Sequence, residues 1–173
     1  MDIPAIKREL HYHHRAFIDR IQALPVEQLE RTPNGKWSPL QHVAHIEMSV
    51  RPVAMAMMLP RWFLRWRFGA PNRAPRTYEG LVQRYQEKLS AGGRAPSTFV
   101  PPRVSAKEVE SRSAALLRLV DRLGRRTSRW SEADLDRHLL PHPLLGKVTL
   151  REMLFFTIHH VEHHEALVVR DHS

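Results

Sequence analysis

Residues 149–170, TLREMLFFTIHHVEHHEALVVR, decide how the rest of the chain is read, because they place four histidines within six positions of one helical run. Thr149 followed three residues later by Glu152 is a capping box, in which each side chain satisfies an orphan amide donor of the first turn. No Gly or Pro interrupts the run from there to Arg170. At about 100° per residue, Leu150, Met153, Leu154, Thr157, Val161, Leu167 and Val168 share one face. His160 and His164 fall on or beside that face, one turn apart, so both imidazoles can converge on one point. His159 and His163 repeat the spacing on the far side, and Phe155 and Ile158 are expected to project away from the inward face too.

A neutral imidazole carries a donor and an acceptor, and leaving either buried and unsatisfied costs about 1–3 kcal/mol. An inward HxxxH pair therefore calls for more than packing, and shared metal ligation is the natural candidate. In so histidine-rich a helix the pair alone is not specific. A second signal has to come from elsewhere in the chain.

Composition narrows the field before that signal is sought. The 173 residues contain no internal repeat and are expected to form a single helical domain spanning 1–173. There is no cysteine, which excludes disulfides, thiolate zinc sites and a cysteine nucleophile. The charged start MDIPAIKRELHYHH lacks an apolar leader, and no stretch reaches about 18 apolar residues, so a cytoplasmic protein without an integral membrane segment is expected. Of the net charge of +9, residues 51–103 supply +8.

Outward from the last helix, capping signals mark the others. Ile6, Leu10, His13, Phe17, Ile21 and Leu24 recur at helical spacing over residues 3–23, with His13 central on the stripe, His14 at its edge and His11 outside. A satisfied core histidine or a pocket role near a metal are the two readings of His13. Ser38, Pro39 and Gln41 open a second long helix to about Leu59, in which Met55, Met57 and Met58 read as core filling. Tyr78 to Ala91 reads as a shorter helix, and Ser105 to Glu108 opens a third long one to about Arg126. HLLPHPLLGKV reads as loop, and no segment shows strand alternation. These elements sum to an all-α, four-helix bundle with a long crossover between the second and third long helices.

Inside that crossover, residues 61–76 interleave Arg61, Arg65 and Arg67 with Trp62, Phe63, Trp66 and Phe68. Such a mix binds phosphates and stacks bases, lies on a membrane surface, or covers a bundle edge while the arginines reach water. The last is the expectation from composition, with nucleic acid the less favoured partner.

The order WSPLQHVAHIEMS on the second helix, then TLREMLFFTIHHVEHHEAL on the last, resembles the DinB and YfiT-like superfamily. The resemblance implies a four-helix bundle in which one histidine of the second helix and an HxxxH pair of the fourth bind a divalent metal. Mapped onto this chain, the tryptophan of the family pattern is Trp37 and the metal ligands are His45, His160 and His164. The family often continues with Arg-Gly-Gln after its last histidines; Glu165, Ala166 and Leu167 stand here instead. The helical periodicity of the second helix centres its core face on Val43, Ile46, Val50, Val53 and Met57, which brings His42 nearer the core than His45. His42 thus stays open as the alternative third ligand.

Three neutral imidazoles at about 2.0–2.1 Å leave a fourth position on zinc for water or substrate; nickel accepts the same set. The expectation is one divalent metal ion per chain, zinc or nickel, that makes a bound water or thiol available as its anion. The resemblance implies a metal-dependent hydrolase or a thiol S-transferase using a low-molecular-weight thiol, with a small-molecule substrate and a homodimeric assembly. The basic segment is then a candidate for contacts to an anionic thiol or substrate. A non-catalytic, metal-stabilised bundle that dimerises through Phe155 and Ile158 is the alternative. No catalytic residue is assigned; Glu47, Glu162 and Glu165, close to the ligands in sequence, read as solvated charges or partners of the ligands.

Overall fold

The computed structural model describes residues 1–94 and 96–172. Among these, the α-helices are α1 (Ile3–Gln22), α2 (Val26–Leu29), α3 (Pro39–Ala56), α4 (Arg61–Phe68), α5 (Tyr78–Ser90), α6 (Val109–Thr127), α7 (Glu132–Arg137) and α8 (Leu150–His172). A two-stranded antiparallel hairpin, β1 (Leu139–His142) with β2 (Gly146–Thr149), leads into α8. The fold is all-α apart from that hairpin.

Helix starts follow local chemistry. Ser38 and Gln41 form a reciprocal capping box at α3, with Pro39 in the first turn, where its missing N–H is no loss. Ser105 and Glu108 form another ahead of α6. At α8 the Glu152 carboxylate accepts from the Thr149 amide at 2.8 Å while the Thr149 hydroxyl accepts from the Glu152 amide at 3.2 Å.

The long helices α1, α6, α3 and α8 pack in that order around the bundle, each against its two neighbours, leaving α6 and α8 diagonal. The crossover from α3 to α6 carries α4 and α5. Because α5, α7 and the hairpin also pack on α8, this helix is enclosed on more sides than an ordinary bundle helix. That enclosure corrects one expectation: Phe155 and Ile158 are buried, at 2% and 1% exposure, and Tyr78 of α5 meets the Phe155 ring edge-on at 5.8 Å. The dimer surface argued from those two residues does not exist.

Other departures have similarly local causes. On α1 the buried histidine is His14, fully enclosed, and His13 is half-buried, because α1 packs between α6 and α8 and its inward face is centred toward Ile18. Of the methionines at the end of α3 only Met57 is core; Met55 and Met58 are exposed. HLLPHPLLGKV is not simply loop: Leu139 pairs with Thr149 and Leu140 with Val148, and Gly146, at φ +73°, takes the left-handed conformation that turns the chain back. Strands this short with Pro141 inside carry no alternation to read, since Leu139, Leu140 and His142 are all buried.

Residues 61–68 do form a helix, but Trp62 and Trp66 do not cover a bundle edge: they are 70% and 75% exposed, and Leu64 is the helix's buried residue. Arg73 and Arg76, further along the crossover, clamp the fully buried Glu152 carboxylate, Arg73 through two contacts at 2.7 and 2.9 Å. The Arg76 amide donates to the same carboxylate at 2.8 Å. No helix among the described residues is long and apolar enough to cross a membrane.

Candidate metal centre

Where α3 and α8 face each other, His45 from the first and His160 and His164 from the second bring their imidazoles together. Their ligand atoms all lie within 4.8 Å of one another, and all three residues are buried. His160 Nε2 is 3.2 Å from His45 Nε2 and 3.1 Å from His164 Nε2. Nitrogens bound to one ion at about 2.0–2.1 Å stand roughly 2.9–3.4 Å apart, from octahedral to tetrahedral geometry. The two separations from His160 fall within that range.

The outer nitrogens fix which atoms face inward. His45 Nδ1 lies 2.7 Å from the Phe99 carbonyl, which can only accept, so Nδ1 carries the proton and the neutral ring presents a bare Nε2 lone pair to the cluster. His164 Nδ1 lies 2.7 Å from His42 Nδ1. A proton on His164 Nδ1, donated to His42, leaves His164 Nε2 bare as well. In that tautomer two bare acceptors beside His160 Nε2 cannot both be satisfied by its single proton, whereas a cation satisfies all three. The donor set fits a divalent metal that accepts imidazole nitrogen.

His42 and His45 are thereby separated. Both are buried at 3% exposure, as the periodicity of α3 required of His42. His45 reaches the cluster, and His42 stands behind it against His164. Trp37 closes the same side, its ring 4.8 Å from His45, 5.6 Å from His42 and stacked on His164 at 6.0 Å. Phe156 stacks on His160 at 4.7 Å.

Burial keeps these rings neutral. It pushes His160 and His164 well below the usual imidazole range, with neighbouring imidazoles adding to the effect. His42 is lowered to about 3, first by burial and then by His45. Burial lowers His45 too, partly opposed by the Phe99 carbonyl. A neutral imidazole is the form that ligates.

Several neighbours carried no sequence signal. The Phe99 carbonyl belongs to a short 3₁₀ turn, Ser97–Phe99, in the Pro-rich connection. His142, at the end of β1, accepts from the Leu144 and Leu145 amides at 3.1 Å through Nδ1, which places its proton on Nε2. Its ring meets Phe156 at 4.2 Å, and burial lowers it to about 4. Tyr85 of α5 packs edge-on against His160, His142 and Phe156, and burial pushes its hydroxyl up to about 12.

The carboxylates near the ligands in sequence are not brought to them. Glu47 pairs with Arg51 and Arg112, and Glu165 with Arg20 at 2.8 Å. Glu162 accepts from the Tyr78 hydroxyl at 2.6 Å and lies 3.2 Å from His13 and 3.4 Å from His159. Glu162, Tyr78 and His13 line a cavity of about 610 Å³ that none of the three clustered histidines lines. His13 therefore belongs to that cavity, not to the histidine cluster.

The family model described as the DinB superfamily matches residues 9–168, a span that includes all three clustered histidines. Neither a curated protein nor a solved structure matches the chain. With a helical bundle, a three-histidine cluster across its second and last long helices and a match over most of its length, the chain belongs to the DinB superfamily.

Proposed function

We propose that His45, His160 and His164 hold one divalent metal ion, zinc or nickel, and that the protein is a metal-dependent enzyme of the thiol S-transferase or hydrolase type. The convergence of three Nε2 atoms, one of them, on His45, left bare by its outer hydrogen bond to the Phe99 carbonyl, carries the reading. When bound, such an ion lowers the pKa of a water or thiol in its open position, so that the nucleophilic anion exists near neutral pH.

The chain's own residues prepare that position. The Phe99 carbonyl holds the tautomer of His45, His42 positions the His164 ring, and Trp37 and Phe156 pack on the ring planes. His142, neutral and with its proton on Nε2, packs against Phe156 on the hairpin side and offers a hydrogen-bond donor there. The basic crossover gives less to substrate than its composition suggests: Arg61 is engaged by Asp134, and Arg73 and Arg76 by Glu152. A low-molecular-weight thiol as co-substrate and a homodimeric assembly belong to the proposal through the family resemblance.

Elemental analysis of purified protein and single variants tests it. About one metal per chain is expected in the parent and loss of it in His45→Ala, His160→Ala and His164→Ala. His42→Ala is expected to keep the metal with affinity reduced about 10- to 100-fold in chelator competition. A parent that takes up no metal after reconstitution, or a His42→Ala variant that loses it while His45→Ala keeps it, overturns the assignment. Given a loaded protein, transfer of low-molecular-weight thiols to electrophiles and hydrolysis of esters and amides separate the two reaction classes.

A further inference from the structure

One end of the bundle is unlike the rest of the surface. Residues 48–78 hold six arginines and no Asp or Glu, and residues 122–130, at the end of α6, hold four more with no carboxylate. The fold brings these segments together. Arg126 donates to the Ala54 carbonyl, Trp130 Nε1 donates to the Met57 carbonyl at 3.1 Å, and Arg61 donates to the Arg129 carbonyl at 3.1 Å while lying 4.6 Å over the Trp130 ring.

Around this junction four large apolar side chains point outward. Met55 and Met58 at the end of α3 are 60% and 59% exposed. Trp62 and Trp66, one turn apart on α4, are the most exposed large hydrophobics of the chain. Phe63, half-buried, meets both indoles, at 6.0 and 5.8 Å, so the two rings are held on a rigid helix that Leu64 anchors in the core. Two cations on α4 itself, Arg65 and Arg67, have no carboxylate partner among the described residues, and neither do Arg122 and Arg125 of α6 or Arg129 just after it.

We propose that this end of the molecule docks on an anionic lipid surface, with Trp62, Trp66, Met55 and Met58 entering the headgroup boundary while the arginines without a carboxylate partner, Arg65, Arg67, Arg122, Arg125 and Arg129, meet lipid phosphates. Amphipathic indoles favour that boundary, and unpaired arginines near it gain from the negative surface potential. The exposed methionines favour lipid over nucleic acid, since a thioether neither stacks well on a base nor bonds to a phosphate, yet partitions readily into acyl chains. Docking of this end on lipid requires neither metal binding nor catalysis.

Sedimentation with vesicles tests it, comparing phosphatidylcholine alone with an equimolar mixture of phosphatidylcholine and phosphatidylglycerol, and with single-stranded DNA and RNA as competitors. The parent is expected to bind the mixed vesicles and not the neutral ones, with a blue shift of tryptophan emission and affinity that falls as salt is raised. Trp62→Ala/Trp66→Ala and, separately, Arg65→Gln/Arg67→Gln are each expected to weaken binding on the order of 10-fold or more, with circular dichroism unchanged. No binding to anionic vesicles, binding by both double variants as tight as the parent's, or displacement by nucleic acid at lower concentration than the lipid overturns the proposal.

Discussion

His14 shows what a single buried side chain imposes. Its Nδ1 lies 2.7 Å from the Leu10 carbonyl, its Nε2 has no partner, and burial lowers it to about 4. In the unfolded chain the same imidazole titrates near 6.5, so below that value the unfolded state binds a proton that the native state refuses. The stability associated with the neutral ring is thus complete above pH 6.5 and declines as pH falls toward about 4. His14→Leu removes this dependence: between pH 7 and 5 the parent is expected to lose about 2 kcal/mol more than the variant, measured by urea unfolding. Equal losses would mean that His14 is neutralised or solvated by some other route. The sequence put the two adjacent histidines of α1 in the wrong order of burial, because one step along a helix is a rotation of about 100° and the tilt of α1 between α6 and α8 decides which one faces in.

At the level of elements, the Glu152 carboxylate does more than cap α8. The Thr149 box was readable three residues away, but Arg73 and Arg76 lie 79 and 76 residues distant and were visible only once the crossover was seen to return to the start of α8. Burial by itself would raise this carboxyl; the Arg73 guanidinium, followed by the Arg76 and Thr149 amides, holds it below its ordinary range. Its contribution is therefore present above the unfolded carboxylate value and is lost as pH falls below it. Glu152→Ala strips two half-buried guanidinium groups and two amides of their acceptor and is expected to cost about 2–4 kcal/mol in denaturant unfolding. A change under about 0.5 kcal/mol would show that water replaces the carboxylate without loss.

For the whole molecule, a metal held by the histidine cluster would be a long-range cross-link, since His45 and His160 are separated by 115 positions in the chain. A ligand that binds the native state alone stabilises it by about 2.7 kcal/mol at a free concentration of 100 times its Kd. For a chain of this size that corresponds to a rise in Tm of about 5–10 °C. Calorimetry with and without a chelator is expected to show it in the parent and not in His160→Ala. An identical Tm in both conditions would be incompatible with a metal bridging α3 and α8.

What the sequence determined alone was the set of long helices and the inward pair on the last of them. Capping boxes and i, i+4 spacing are local, and a chain segment carries them wherever it packs. What only the tertiary structure decided was everything that depends on how one helix is turned against another. His45 enters the cluster and His42 stands behind it, although α3 alone gives His42 the more central place. Phe155 and Ile158 lie inside because α5 covers a face of α8 that a plain bundle leaves open. The Phe99 carbonyl that sets the tautomer of His45 comes from an irregular turn 54 residues away, whose position no periodicity encodes. Rotation about a helix axis and the return of a long crossover are fixed by packing among distant residues, which is why they appear only in three dimensions.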